Sequence, residues 1–258
     1  MNCLEIFLVE FQKLIKKKIT YLLLVTVLIP LVYGVGMTLH LSFIVNSDGE
    51  SFNVISSYQL SAIGFAVNMF SQSIYVIYLI IIIIGSMLLA GEVENGQIRI
   101  YAIRICQRKK WLVMKFFASM VLMLFYILAF TLFSVLVYYI FVSSSGYGNG
   151  KFIDRDLGGI LYLFITYMGM TVAMSVTFML GIYLKAFQTF AVSYLVWFIS
   201  KYLSFFDKLQ YLVPDNLADK VIDYGMEDRA WIYVLLYMIY ICVLLGMTGF
   251  IFNKRDLK

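Results

Sequence analysis

LSAIGFAVNMFSQSIYVIYLIIIIIGSMLLAG, residues 60–91, carries no Asp, Glu, Lys or Arg. A helix crosses the hydrocarbon core of a bilayer in ~20 residues, so this run is long enough to span. It is continuously apolar rather than alternating, which argues against a strand of a transmembrane β-barrel. Working outward, residues 19–45, 112–142, 157–184 and 230–252 form further apolar runs of spanning length. Residues 186–206 form a sixth, interrupted by Lys201 after 15 uncharged residues. Lys201 can snorkel if it sits near the end of that helix.

The whole chain is 62% hydrophobic and 14% charged. An ordinary soluble domain is about 45–50% apolar and ~25% charged. A fold of 258 residues has no interior large enough for that excess. The expectation is therefore an all-α integral membrane protein with six transmembrane helices and no second domain. The first run is too long for a signal-peptide core, and no small-residue cleavage site follows it, so it is expected to stay.

Directly after the 60–91 run comes GEVENGQIRIYAIRICQRKK, residues 91–110, with Lys115 close behind. Glu92, Glu94, Arg99, Arg104, Arg108, Lys109, Lys110 and Lys115 give it eight charges, six of them cations. Each cation costs roughly 2.5–3.5 kcal/mol at a bilayer centre, on the order of 15–20 kcal/mol together, so the stretch belongs in water. Six spans put it on the same side as both ends of the chain and the turn at Lys185. That side collects 14 cations against five acids, net +9; the other has six against ten, net −4. The positive-inside rule makes the basic side cytoplasmic. Topology accounts for this charge, and it calls for no nucleic acid. Cys3 and Cys106 fall on the basic side and Cys242 in the last span, so no disulfide framework is expected.

Residues 1–18 are too polar to span. Leu4, Phe7, Leu8, Phe11, Leu14 and Ile15 recur every three to four residues, with Glu5, Gln12, Lys13, Lys16 and Lys17 on other faces. This predicts an amphipathic helix lying in the interface, with a polar extension of the first span as the alternative. Pro30 is expected to kink the first span. The longest segment on the acidic side, 207–229, mixes polar residues with Leu209, Leu212 and Leu217. Short helices dipping into the leaflet there would make those leucines candidates for an external gate; a solvated loop is the alternative.

Catalytic chemistry is sparse. His40 is the single histidine, and metal sites want three or four converging ligands. SGYGNGKF, residues 145–152, has Gly150-Lys151 followed by Phe152, so it lacks the hydroxyl a P-loop places on Mg²⁺. Runs 60–91, 116–142, 157–184 and 230–252 hold no Asp or Glu, which argues against a proton-driven carrier. Tyr162, Tyr167, Tyr183, Tyr194, Tyr202, Tyr233, Tyr237 and Tyr240 could line a path for an amphiphile, and helix packing explains them equally well.

Glu92-x-x-x-Gly96 after the second run, Arg108-x₆-Lys115 before the third, the start EIFLVEFQKLIKKK and the ending FNKRDLK together resemble the ABC-2 type permeases, membrane subunits of ATP-driven exporters. Gly96-Gln97 departs from the Gly-Thr common there, and Ile105-Cys106 stands where a proline is usual. The resemblance implies a cytoplasmic coupling helix between the second and third spans, docking on a partner ATPase through Glu92, Glu94, Gly96, Gln97, Ile98, Arg99, Ile100, Tyr101 and Arg104. In that reading Glu92 and Glu94 sit near the positive N-terminal end of the coupling helix. It further implies a non-enzymatic chain without cofactor of its own, ATP and Mg²⁺ residing on two ATPase subunits. A second permease copy or sister permease, membrane lipid and an amphiphilic peptide or antibiotic complete the partners. A chain near this length, without a large external domain, is similar to those serving bacterial peptide-antibiotic resistance, lantibiotic immunity or peptide export, placed in the bacterial cytoplasmic membrane with both termini inside. The other classes left open are an ion-coupled secondary carrier and a non-transporting immunity or anchor protein.

Overall fold

The structure, a computed structural model, describes residues 2–39, 60–96, 108–145, 147–150, 156–203 and 230–254. Within these it is helical, and five helical stretches are long and apolar enough to cross a membrane: Thr20–Thr38, Ala62–Glu94, Lys110–Val142, Asp156–Gly181 and Trp231–Phe252.

Helix α1 (Cys3–Lys16) starts with Asn2 N donating to Glu5 Oε2 at 3.1 Å, which satisfies one donor at the helix start. Its Ile6, Glu10 and Leu14, spaced four apart, are buried, while Leu4, Leu8 and Ile15 are exposed. The amphipathic pattern therefore resolves into two apolar rows. One docks on the helix that begins at Arg108, and the other stays open.

The first span is two pieces, α2 (Thr20–Thr26) and α3 (Ile29–Thr38). The break at 27–28 falls just before Pro30, in the first turn of α3, where a missing N–H costs nothing. Thr26 Oγ1 donates to Leu23 O at 2.7 Å and lies 2.7 Å from the Tyr126 hydroxyl, so the break is tied to a neighbouring helix.

Helix α4 (Ala62–Glu94) is the centre of the bundle, with 67% of its apolar stretch buried. It touches α2, α3, α5 (Arg108–Val137), α6 (Asp156–Gly181) and α7 (Ala186–Leu203). Helix α5 ends in a π-helical turn, Tyr138–Val142. Helix α8 (Ala230–Lys254) packs on α6 and α5 at the edge, with 17% of its apolar stretch buried. The parallel pair α4–α6 approaches closely at glycines. A Cβ on Gly85 would stand 2.5 Å from Met174 Sδ, and one on Gly159 2.9 Å from Ile63 Cγ2. Small residues at such contacts let helix backbones pack without clash.

Of the sixth expected span, 186–206, residues 186–203 form the 18-residue helix α7, which is not among the five stretches fit to cross a membrane. With Gln188, Lys201 and two tyrosines it is less apolar than the five spanning stretches. The leucines at 209, 212 and 217, together with His40 and Cys106, lie outside the described residues.

At the Ala62 end of α4 a polar clasp holds the neighbouring loop. Ser61 caps α4 by accepting from Gly64 N at 2.9 Å and donates its hydroxyl to the buried Asp156 carboxylate. Leu60 N donates to Tyr147 O at 2.8 Å, and the hydroxyl of Tyr138 donates to Leu60 O at 2.6 Å. The π turn brings Tyr138 to that position.

Candidate functional site

The opposite, basic end of the bundle holds a buried ionic cluster. Lys115, in the second turn of α5, is fully buried and has two carboxylate partners: Glu10 Oε2 of α1 at 2.7 Å and Glu92 Oε2 of α4 at 2.5 Å. Trp111, one turn earlier on the same face, donates its Nε1 to Glu10 Oε1 at 3.2 Å. Its ring centroid lies 4.4 Å from Lys115 Nζ, a cation–π contact in a dry setting. Lys13 closes the cluster with Nζ 2.6 Å from Glu10 Oε1. Lys17 donates to Met87 O at 3.3 Å.

The charges nearly cancel, as burial demands. An unpaired ion in such a site is costly, and here each carboxylate faces an ammonium. Burial works against the Glu10 carboxylate, but the Lys115 and Lys13 ammonium groups outweigh it and hold its pKa below the ordinary value. Burial, with Lys115 nearby, pushes Lys17 below its ordinary value, only partly countered by Glu92 and Glu10.

Glu92 and Glu94, expected in the first turn of a separate coupling helix, both belong to the last turn of α4. The helix continues through them because each carboxylate has a protein partner. Glu92 turns inward to Lys115, and Glu94 Oε2 accepts from Ala186 N, the first residue of α7, at 3.1 Å. That contact satisfies one orphan donor at the start of α7. The helix stops at Gly96, whose φ of +69° is a left-handed conformation that side-chain-bearing residues adopt at a cost. Space is not the reason for glycine, since a Cβ there would meet nothing within 4 Å.

Gln97, Ile98, Arg99, Ile100, Tyr101 and Arg104 lie outside the described residues. The segment that contains them starts from a base fixed to α1 and α5 through Glu92, and to α7 through Glu94. Sequence reasoning placed Glu10 merely on the basic side and Lys115 in a motif, without joining them. The available signal was the position of Lys115 inside the predicted span 112–142, where an ionisable side chain needs a partner. The tyrosines of the expected path divide: Tyr162, Tyr233 and Tyr237 are buried, while Tyr183 and Tyr202 are exposed.

Over the described residues, fold and site together define a helical protein with five stretches fit to span a membrane and a buried Glu–Lys–Glu junction at the basic end. Compared with protein families, with characterised proteins and with solved structures, it matches none.

Proposed function

We propose that this chain is the permease subunit of an ATP-driven exporter, moving an amphiphilic peptide or antibiotic out of the cell or out of the bilayer. It pairs with a second permease and receives work from two separate ATPase subunits that bind ATP and Mg²⁺. In this reading residues 186–206 are the sixth span, and the basic end faces the cytoplasm of a bacterial cell. The ABC-2-like motifs and the charge asymmetry support it.

The observation that carries it is how the 97–107 segment is rooted. A segment pushed by a partner moves a permease only if it is bonded to the helices that must move. Its root is held by Glu92 and Lys115 to α1, α4 and α5, and by Glu94 to α7. Any displacement is thereby transmitted to four helices at once. Tyr101 and Ile98 supply the apolar anchor on the partner, and Arg99 and Arg104 pair with its carboxylates.

Tyr101→Ala with Gly96→Leu leaves net charge unchanged. The double variant is expected to insert in the membrane normally, to lose its co-purifying P-loop ATPase and to lose substrate-stimulated ATP hydrolysis. Wild-type chain that retains no ATPase in mild detergent or after cross-linking in cells, or a double variant that keeps both partner and activity, overturns the reading.

A further inference from the structure

We propose a binding site for a small amphiphile, an apolar molecule of one or two rings bearing a hydrogen-bond-accepting oxygen, in a cavity of about 240 Å³ between α6, α7 and α8. Gly169, Ala173 and Val176 of α6, Ser193 and Trp197 of α7 and Tyr240 of α8 line it. This inference is independent of any ATPase partner.

Two groups in the lining point to a ligand. Ser193 is 2% exposed and its hydroxyl has no hydrogen-bond partner. Among the described residues, every other serine or threonine that is buried as a whole has its hydroxyl bonded, while half-buried Thr131 also has a buried hydroxyl without a partner. Ser134, Thr166, Ser175, Thr177 and Thr248, for example, donate to the carbonyl four residues back. Trp197, one turn along, is 5% exposed and its Nε1 is also without a partner, whereas Trp111 Nε1 is bonded to Glu10. Leaving a buried donor unmade is expensive, and these two occur together on one helix face at one cavity.

The chemistry of the occupant follows from the donors and the volume. An indole N–H only donates, so the ligand must present an acceptor; the serine hydroxyl can donate to or accept from the same oxygen. The rest of the lining is apolar apart from Ser200 and Tyr240, and one water, whose share of liquid volume is ~30 Å³, would fill only a fraction of the cavity. An engineered cavity of ~150 Å³ binds benzene, so this one admits a somewhat larger ring system. Trp197 is rigid, stacked on Tyr78 at 4.7 Å between ring centroids with Tyr75 edge-on at 5.6 Å, so its N–H is presented without rotamer loss. Val196, also in the lining, is 45% exposed, which opens the cavity sideways onto the surface that faces lipid in a spanning bundle.

The probe is a trifluoromethyl-diazirine benzyl alcohol, photolysed with the full chain in bilayers, alongside the same reagent lacking the hydroxyl. Saturable adducts within residues 169–176, 193–200 or 240–244, competed by benzyl alcohol, are expected. Trp197→Phe and Ser193→Ala should each weaken apparent affinity about 5-fold, the worth of one hydrogen bond. Val176→Phe, which narrows the cavity, should suppress labelling there. Ser193→Ala removes a single atom and keeps the test open where Trp197→Phe fails to fold. Labelling that rises linearly without saturation, or that saturates but is unchanged in both polar variants, overturns the site.

Discussion

Lys115 shows why removing a buried charge differs from removing a buried pair. Its ammonium compensates two carboxylates that are 5% exposed or less. Lys115→Met deletes the compensation and leaves Glu10 and Glu92 facing each other in a dry site. A loss of about 3–5 kcal/mol is expected, read as a fall in the thermal unfolding midpoint in detergent. Adding Glu10→Gln and Glu92→Gln to Lys115→Met should recover most of that loss, because both buried carboxylates go with the ammonium and the part-exposed Lys13 can turn to solvent. A triple variant no more stable than the single one would refute the electrostatic account. The same cluster sets an acid dependence. The folded Glu10 carboxylate binds its proton more weakly than the ordinary value of 4.5. Its stabilisation is therefore complete above that pH and is lost as pH falls through the lowered folded value. Unfolding midpoints should hold steady from neutral pH down to about 5 and then drop, with a shallower drop for Glu10→Gln.

Among the helices, the α4–α6 pair is sensitive to added volume. A side chain at Gly85 meets Met174 Sδ at 2.5 Å and Thr177 Cγ2 at 3.1 Å. The methionine tip can yield to a methyl group but not to a branched side chain held on the other flank by a threonine. Gly85→Val is expected to destabilise by about 1–3 kcal/mol through overpacking. Gly91→Ala, with nothing within 4 Å, should instead stabilise by up to ~1 kcal/mol through better helix propensity. Comparing the two unfolding midpoints checks both, and equal shifts would contradict the close approach. Sequence made much of this level legible. The apolar run 60–91 becomes Ala62–Glu94, and Pro30 marks a real break in the first span. What it hid was long-range. Nothing in the run 112–142 signals that its end opens into a π turn to deliver Tyr138 to Leu60, since that partner lies 78 residues away in sequence. The inward turn of Glu92 was hidden for the same reason, because a carboxylate reads as solvent-facing until its ammonium partner is placed.

For the molecule as a whole, composition alone carries the membrane character, because apolar excess needs no knowledge of contacts. The docking of α1 was not legible at this scale. A helical period gives an apolar face but not whether lipid or α5 covers it, and Ile6 and Leu14 lie on protein while Leu4 and Leu8 do not. Orientation is the property that sequence charge and structure address jointly. Helix α4 has 33 residues, about 50 Å at 1.5 Å per residue, well beyond a hydrocarbon core of ~30 Å. Its two ends therefore emerge on opposite sides of any bilayer it crosses. Asn149 N donates to Leu60 O at 3.0 Å, which fixes Asn149 to one end, and Gln97 follows directly on the other. On the proposed six-span topology, the net +9 on the Gln97 side against −4 on the Asn149 side would place the first in the cytoplasm. In a chain with Cys3, Cys106 and Cys242 replaced by serine, a single cysteine at Asn149 should react with an impermeant thiol reagent added outside intact cells. Cysteines at Ser47 and Asp219 should react likewise, and one at Gln97 should react only after the membrane is opened. Labelling at Gln97 in intact cells, with silence at Asn149, would invert the topology and remove the surface on which an ATPase is proposed to act. Labelling at Asn149 with silence at Asp219 would instead deny α7 its crossing and leave five spans.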